Sequence, residues 1–327
     1  MSNKNSNHIL FSYSFNKEGK ASSLDNKQIP VELKNPDLSW VHLDGSNKNS
    51  KKWLEKEVDY LDHLIIEALT ASETRPRLLR FEHGILLILR GISDVKSIKK
   101  SEMVSIRLWI DNERIISIQR RPMKSIFELE KKINNDLLIL SSTEFLSNFL
   151  NMTLQDISEF IYSTGEVIDK IEQEVMTTHD MKFREKIVHT RSQLTVSRRY
   201  LAPLKEVISN LRSCKYEWVN DFTIRHFQES YEKITHIIEE TDEVLIRSKI
   251  LNDELSHALN EKINRNMFKL SLIAIIFMPL TFITSLFGMN FDKIPWADNP
   301  NGFYIACFLM IIITIVQLFF FKRKDWF

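Results

Sequence analysis

The sequence predicts an α+β cytoplasmic domain, a mixed α/β sheet flanked by helices, followed by very long helices and a two-span α-helical membrane domain. Three observations predict it. Short β-rich runs crowd the first part of the chain. After Ser141 these runs stop and apolar residues recur at helical spacing. Near the end, two long stretches carry no charge at all.

In chain order, residues 8–15, 40–43, 84–92, 103–110 and 114–119 suit strands. The last two are joined by Asp111-Asn112-Glu113, a plausible hairpin turn. Helical patterns cover 50–58, 62–71 and 123–134. Residues 143–176 read as one long helix, with Leu146, Phe149, Leu150, Ile157, Phe160, Ile161, Val167, Ile168, Ile171 and Val175 on its apolar face. Residues 183–211 form a second, interrupted in sequence by Pro203. Residues 222–287 form a third, with no proline before Pro279; one continuous helix and two helices with an unmarked break both fit the pattern.

The charge-free stretches are 270–290 and 303–321. A hydrocarbon core of about 30 Å needs roughly 20 apolar residues in helix, and both meet that length. Buried core helices are the alternative, but these seldom run so far without a charge on some face. Lys262, Arg265 and Lys269 precede the first stretch, and Lys322, Arg323 and Lys324 follow the second. The connecting loop holds Lys293 beside Asp292 and Asp298. The positive-inside rule therefore puts both termini in the cytoplasm. Trp296 and Trp326 stand where interfacial aromatics would. The first residues lack the long apolar region of a signal peptide. The expected organisation is 1–140 α/β domain, 141–268 long-helix stalk, 269–291 first span, 292–302 outer loop, 303–321 second span and 322–327 basic tail.

Composition excludes several classes. The 327 residues include 44 Lys+Arg and 43 Asp+Glu, which argues against a nucleic-acid partner. The two cysteines, Cys214 and Cys307, form no CxxC and fit a reducing compartment. The nine histidines are dispersed and make neither HExxH nor a Cys/His finger. No GxSxG, P-loop, dinucleotide fingerprint or kinase set occurs, so no enzyme and no bound cofactor is expected.

Two spans cannot enclose a pathway by themselves, so they either tether the domain or line a shared axis between copies. On the third long helix, Leu251, Leu255, Leu259 and Ile263 form a stripe that should be packed. The opposite stripe holds Asp253, His257, Asn260, Asn264 and Met267, and continues into the span through Leu270, Ala274, Met278 and Thr281. This suits a water-lined axis; a solvated face that stops at the membrane fits equally. Asp253, His257 and Asn260 are the candidate cytoplasmic metal or gating residues, with Asp253 and His257 the candidate ligands. Glu239, Glu240, Asp242 and Glu243 could concentrate cations or simply face solvent. The first span ends in Gly288-Met289-Asn290. A ring of Asn290 carboxamides could hold a hydrated cation, and the same string could serve as a helix cap.

The string F-M-P-L-T-F-I-T-S-L-F-G-M-N-F, from Phe277 to Phe291, with a second span and the tail KRKDWF, resembles the CorA superfamily of divalent-cation transporters. The segments Glu73-Thr74-Arg75-Pro76-Arg77 and Arg198-Arg199-Tyr200-Leu201-Ala202-Pro203 look like its ZntB branch, associated with zinc. The resemblance covers nearly the whole chain. It implies a homopentamer in the bacterial inner membrane, a cytoplasmic funnel and a pore lined by five first spans. It gives Asn290, with Gly288 and Met289, the role of ion selection at the outer mouth. It makes Thr281, Met278, Ala274, Leu270, Met267 and Asn264 pore-facing, the residues the stripe picks out independently. Asp292 and Asp298 would attract cations at that mouth, and Asp253 matches an acidic position used in regulation by magnesium members.

Two features point to different ions. This chain keeps Met289, as magnesium members do, whereas many zinc members carry Val or Ile there. Its Ile294-Pro295 step is closer to the zinc branch. Zinc is the favoured cargo, with magnesium (or cobalt or nickel) the alternative. Protons are candidate coupled ions, although neither span holds a carboxylate to relay them. A membrane-tethered metal sensor without transport is the competing class.

Overall fold

A computed structural model of the chain describes residues 8–58, 60–72, 75–93, 103–178, 182–214, 216–289 and 300–324. The chain divides into two compact units, Met1–Asn252 and Asp253–Phe327.

The first unit is built on a seven-stranded sheet. Its strands are β1 (Ile9–Phe15), β2 (Ala21–Ser23), β3 (Ser39–Asp44), β4 (Arg77–Arg80), β5 (Gly84–Ile92), β6 (Met103–Asp111) and β7 (Arg114–Gln119), in the order β2-β1-β3-β7-β6-β5-β4. Only β3 and β7 pair in parallel. The helices of this unit are α1 (Ile29–Glu32), α2 (Lys48–Glu57), α3 (His63–Thr70), α4 (Lys124–Asn134), α5 (Ser142–Thr178) and α6 (Lys182–Arg212); α7 (Asp221–Phe287) begins here.

Strand alternation sends β3 to two different cores. Val41 and Leu43 join Ile116, Ile118, Leu54 and Leu69 in a cluster under α2 and α3. Trp40 and His42 face the other way. There the Trp40 ring meets Phe145 of α5 edge-on at 4.8 Å, and its Nε1 donates to Ser117 Oγ at 2.8 Å. His42 Nδ1 lies 2.7 Å from the same oxygen. Burial pushes the His42 imidazole down to about 3, against smaller raising effects from Gln119 and Ser117.

Three short elements escape sequence reading. β2 has three residues, α1 has one turn, and β4 reads Arg-Leu-Leu-Arg with no alternation. On α5, eight of the ten apolar positions named above are buried, while Val167 is exposed and Phe160 is half-buried. Pro203 does not end α6, and no break divides α7. Asp242 is committed to Arg198, whose Nε and Nη2 donate to it at 2.7 and 3.1 Å. Arg247 bridges Asp169 and Glu172 of α5, the latter at 3.0 Å.

The second unit contains the remainder of α7 and α8 (Gly302–Arg323). Both helices are long and apolar enough to cross a membrane, and almost none of either apolar window is buried. A soluble core helix of this composition would be covered, so burial argues against that alternative.

Candidate functional site: the exposed face of α7

The residue spacing on α7 sets the site. Asp253, Asn260, Met267, Ala274 and Thr281 recur every seven residues, with His257, Asn264 and Met278 between them on the same repeat. A strict seven-residue repeat drifts by only about 20° per heptad on an α-helix, so these side chains share one face. All of them, and Leu270 beside them, are exposed. The face changes character along its length: carboxylate, imidazole and carboxamides come first, then thioether, methyl and hydroxyl groups. It carries one fixed negative charge, at Asp253.

The opposite stripe is covered only at its start. Leu251 and Leu255 are buried, Leu259 is half-buried, and Ile263 is 55 % exposed. Packing among the described residues of the chain reaches Leu251 and Leu255 fully and Leu259 in part, and leaves Ile263 more than half exposed. Among the described residues, no three His, Cys, Asp or Glu side chains gather into a metal-holding group. Asp253 and His257 thus have no third ligand from their own chain among those residues.

At the far end of α7, the Gly288 amide donates to Thr284 O at 2.9 Å. A Cβ at Gly288 would stand 3.2 Å from that carbonyl, tighter than ordinary contact. Thr284 Oγ1 turns back to the Leu280 and Thr281 carbonyls at 3.0 Å each. Met289 is exposed. Asn290, Asp292 and Asp298 lie outside the described residues, as do Trp296 and Trp326.

One residue of the site was missed in the sequence. Pro279 sits inside α7 and has no N–H, so the Ile275 carbonyl loses its helical donor. Gln317 of α8 reaches that carbonyl, with Nε2 at 3.4 Å from Ile275 O. Its Oε1 is buried without a partner. Leu272 and Phe321, one turn away on each helix, are the buried side chains of this unit's apolar segments. The available signal was Gln317 itself, a lone carboxamide in an apolar span.

Three comparisons bear on this arrangement. A family model described as "CorA-like Mg2+ transporter protein" matches residues 35–323. The zinc transport protein ZntB of Yersinia pseudotuberculosis serotype O:1b (strain IP 31758) is 30 % identical over 287 residues, covering 88 % of this chain and 87 % of that protein. The solved structure of full-length CmaX superposes with a TM-score of 0.83 at 27 % identity, covering 97 % of this chain and 98 % of that one. The CorA magnesium transporter from Methanocaldococcus jannaschii shares the fold, with a TM-score of 0.82 at 20 % identity over 97 % of this chain and 99 % of its own.

Proposed function

This chain belongs to the CorA-like family of divalent-cation transporters, and from that premise we propose that it takes up zinc across the inner membrane through a homopentameric pore. The family is one of transporters rather than enzymes. The observation that carries the pore is the exposed seven-residue repeat on α7, which runs without a break into an apolar window. Two spans per chain cannot enclose a route, and a heptad face with no cover of its own fits helices arranged about a common axis. Zinc is supported by the ZntB relative.

In this reading, residues 1–140 and 141–268 form the cytoplasmic funnel, 269–291 and 303–321 the spans, 292–302 the outer loop and 322–327 the inner tail. Both termini are cytoplasmic, from the Lys and Arg that flank the spans. Asp292 and Asp298 draw the cation to the outer mouth. The Asn290 ring, next to Gly288 and Met289, holds it through its water shell, because neutral carboxamides do not strip a divalent ion. Thr281 and Asn264 are polar stations on a route otherwise made of Met278, Ala274, Leu270 and Met267. Few fixed charges line it, so the ion binds weakly enough to leave. His257, Asn260 and Asp253 face it at the inner end, where gating by a bound cation would act between copies.

A specific residue favours a second reading. Met289 is shared with magnesium members of the superfamily, which makes magnesium the alternative cargo. Flux into proteoliposomes tests both. Zinc uptake that withstands excess magnesium and falls roughly tenfold in Asn290→Ala, the effect of losing an ion-holding hydrogen bond, supports zinc. Magnesium uptake suppressed by the same substitution moves the cargo to magnesium. An assembled protein that conducts neither ion is a tethered sensor.

A further inference from the structure

The apolar part of α7 has two faces. One holds Leu272, which is buried, and Ile276, Pro279 and Ile283, which are half-buried. Steps of 4, 3 and 4 residues keep these four on one side of the helix. The apolar helix α8 repeats the same steps: Met310, Thr314 and Gln317 are half-buried and Phe321 is buried. Gln317 joins the two helices, because its Nε2 reaches the Ile275 carbonyl of α7. The covered side of α7 is therefore the side of α8.

The other face carries Met278 and Thr281, and both are exposed. Met278 is two residues from Ile276, and Thr281 is two from Pro279 and two from Ile283. At 3.6 residues per turn, a two-residue step turns a side chain by about 200°. Met278 and Thr281 thus lie on the far side of α7 from Gln317. Pro279 weakens the helix between the two faces. It has no N–H, and its ring crowds the Ile275 carbonyl, so the backbone opens on the side of α8.

Gln317 holds that opening. Its Nε2 stands 3.4 Å from Ile275 O, at the long end of hydrogen-bonding distance. Its Oε1 is buried and has no partner among the described residues. A carboxamide left half unsatisfied in an apolar helix is unfavourable, and a leucine would fill the place without that cost. The carbonyl that Pro279 frees is what the carboxamide offsets. We propose that Gln317 is a positioning residue for the cation route. By drawing the Ile275 carbonyl towards α8 it holds the proline turn, and with it Met278 and Thr281, back from the common axis. The inference rests on the route proposed above and gives α8 a part in it beyond anchoring. A turn released from Gln317 straightens, carries Met278 and Thr281 inwards and narrows the route.

The test uses the full chain in proteoliposomes. Gln317→Met keeps the length of the side chain and loses its N–H donor, and Pro279→Ala restores the helical donor to Ile275 O. The maximal rate of zinc or magnesium uptake should fall roughly threefold to tenfold in Gln317→Met, the scale of one hydrogen bond between membrane helices. The half-saturating concentration should hold, because entry at Asn290 is untouched. In a Pro279→Ala background, Gln317→Met should have no further effect. A second measurement needs no flux. With the free cysteines Cys214 and Cys307 replaced by alanine, Thr281→Cys should react with a water-soluble methanethiosulfonate. Adding Gln317→Met should slow that reaction by a similar factor, but not when Pro279→Ala is also present. Uptake that Gln317→Met leaves unchanged, or lowers equally in both backgrounds, overturns the positioning role. So does a half-saturating concentration that moves while the maximal rate holds, or thiol reactivity that is absent or indifferent to Gln317. If the wild-type protein conducts neither ion while that reactivity still depends on Gln317, the transport reading fails and the positioning of the turn stands.

Discussion

The two units treat apolar side chains in opposite ways. In Met1–Asn252, Trp40 and Ile116 are fully buried. In Asp253–Phe327, Met278 is 71 % exposed and Phe303 74 %. The first unit closes its apolar surface with its own chain, by sheet faces and helix stripes. The second leaves it open, so its solvent must be something other than water. In the proposed assembly, lipid covers the outward surface and further copies of the chain cover the heptad face. The same residue types therefore stabilise the first unit by packing and specify the second by where they are left uncovered.

The largest expected effect tests that contrast directly. Trp40→Ala empties a fully buried site and also removes the Ser117 hydrogen bond. It should destabilise the first unit by about 3–5 kcal/mol. Phe319→Ala, at 70 % exposure on α8, should cost less than about 1 kcal/mol in lipid, where no water is displaced from either state. Denaturant unfolding in lipid nanodiscs checks both; equal costs would break the comparison.

A pH effect of intermediate size should be confined to the first unit. His42 has a folded value near 3 against an ordinary 6.5. The unfolded chain then binds more protons than the folded one between those values, so stability rises with pH there. The contribution is complete above about 6.5 and is lost as pH falls towards 3, at roughly 1.4 kcal/mol per pH unit. Hydrogen exchange of β3 and β7, corrected for intrinsic rates, should lose protection between pH 6.5 and 5. His42→Leu should flatten that slope, and α8 should show none of it.

Legibility in the sequence followed the range of the interaction. The five principal strands and the long helices were readable because alternation and helical spacing are local. The heptad face of α7 was readable for the same reason, from Asp253 to Thr281. β2 and β4 were not, since three or four residues carry too little pattern and exist only by pairing to β1 and β5. Neither was the cavity lined by Arg75, Arg90, Ser105, Arg120, Arg121 and Arg199, whose lining comes from five separate stretches that only the tertiary fold brings together. How far the cover of the Leu251–Ile263 stripe reaches within one chain was not legible either, because spacing identifies an apolar face without saying what lies against each residue.

The smallest expected effect sharpens the comparison inside the second unit, where packing is sparse and one polar contact has to act without a core around it. If Gln317 serves the carbonyl that Pro279 frees, its worth depends on the proline. Gln317→Leu should cost about 0.6–2 kcal/mol, the range for hydrogen bonds between helices in a membrane. In a Pro279→Ala background the Ile275 carbonyl regains its own helical donor, and Gln317→Leu should become neutral or stabilising, since its buried Oε1 has no partner. The coupling in a double-mutant cycle, measured by unfolding in lipid nanodiscs, is therefore the quantity to read. A coupling of zero would mean that Gln317 packs as a plain side chain. A coupling near 1 kcal/mol would make the pair Pro279–Gln317 the place where the second span grips the first, with Pro279 one residue from Met278 and two from Thr281.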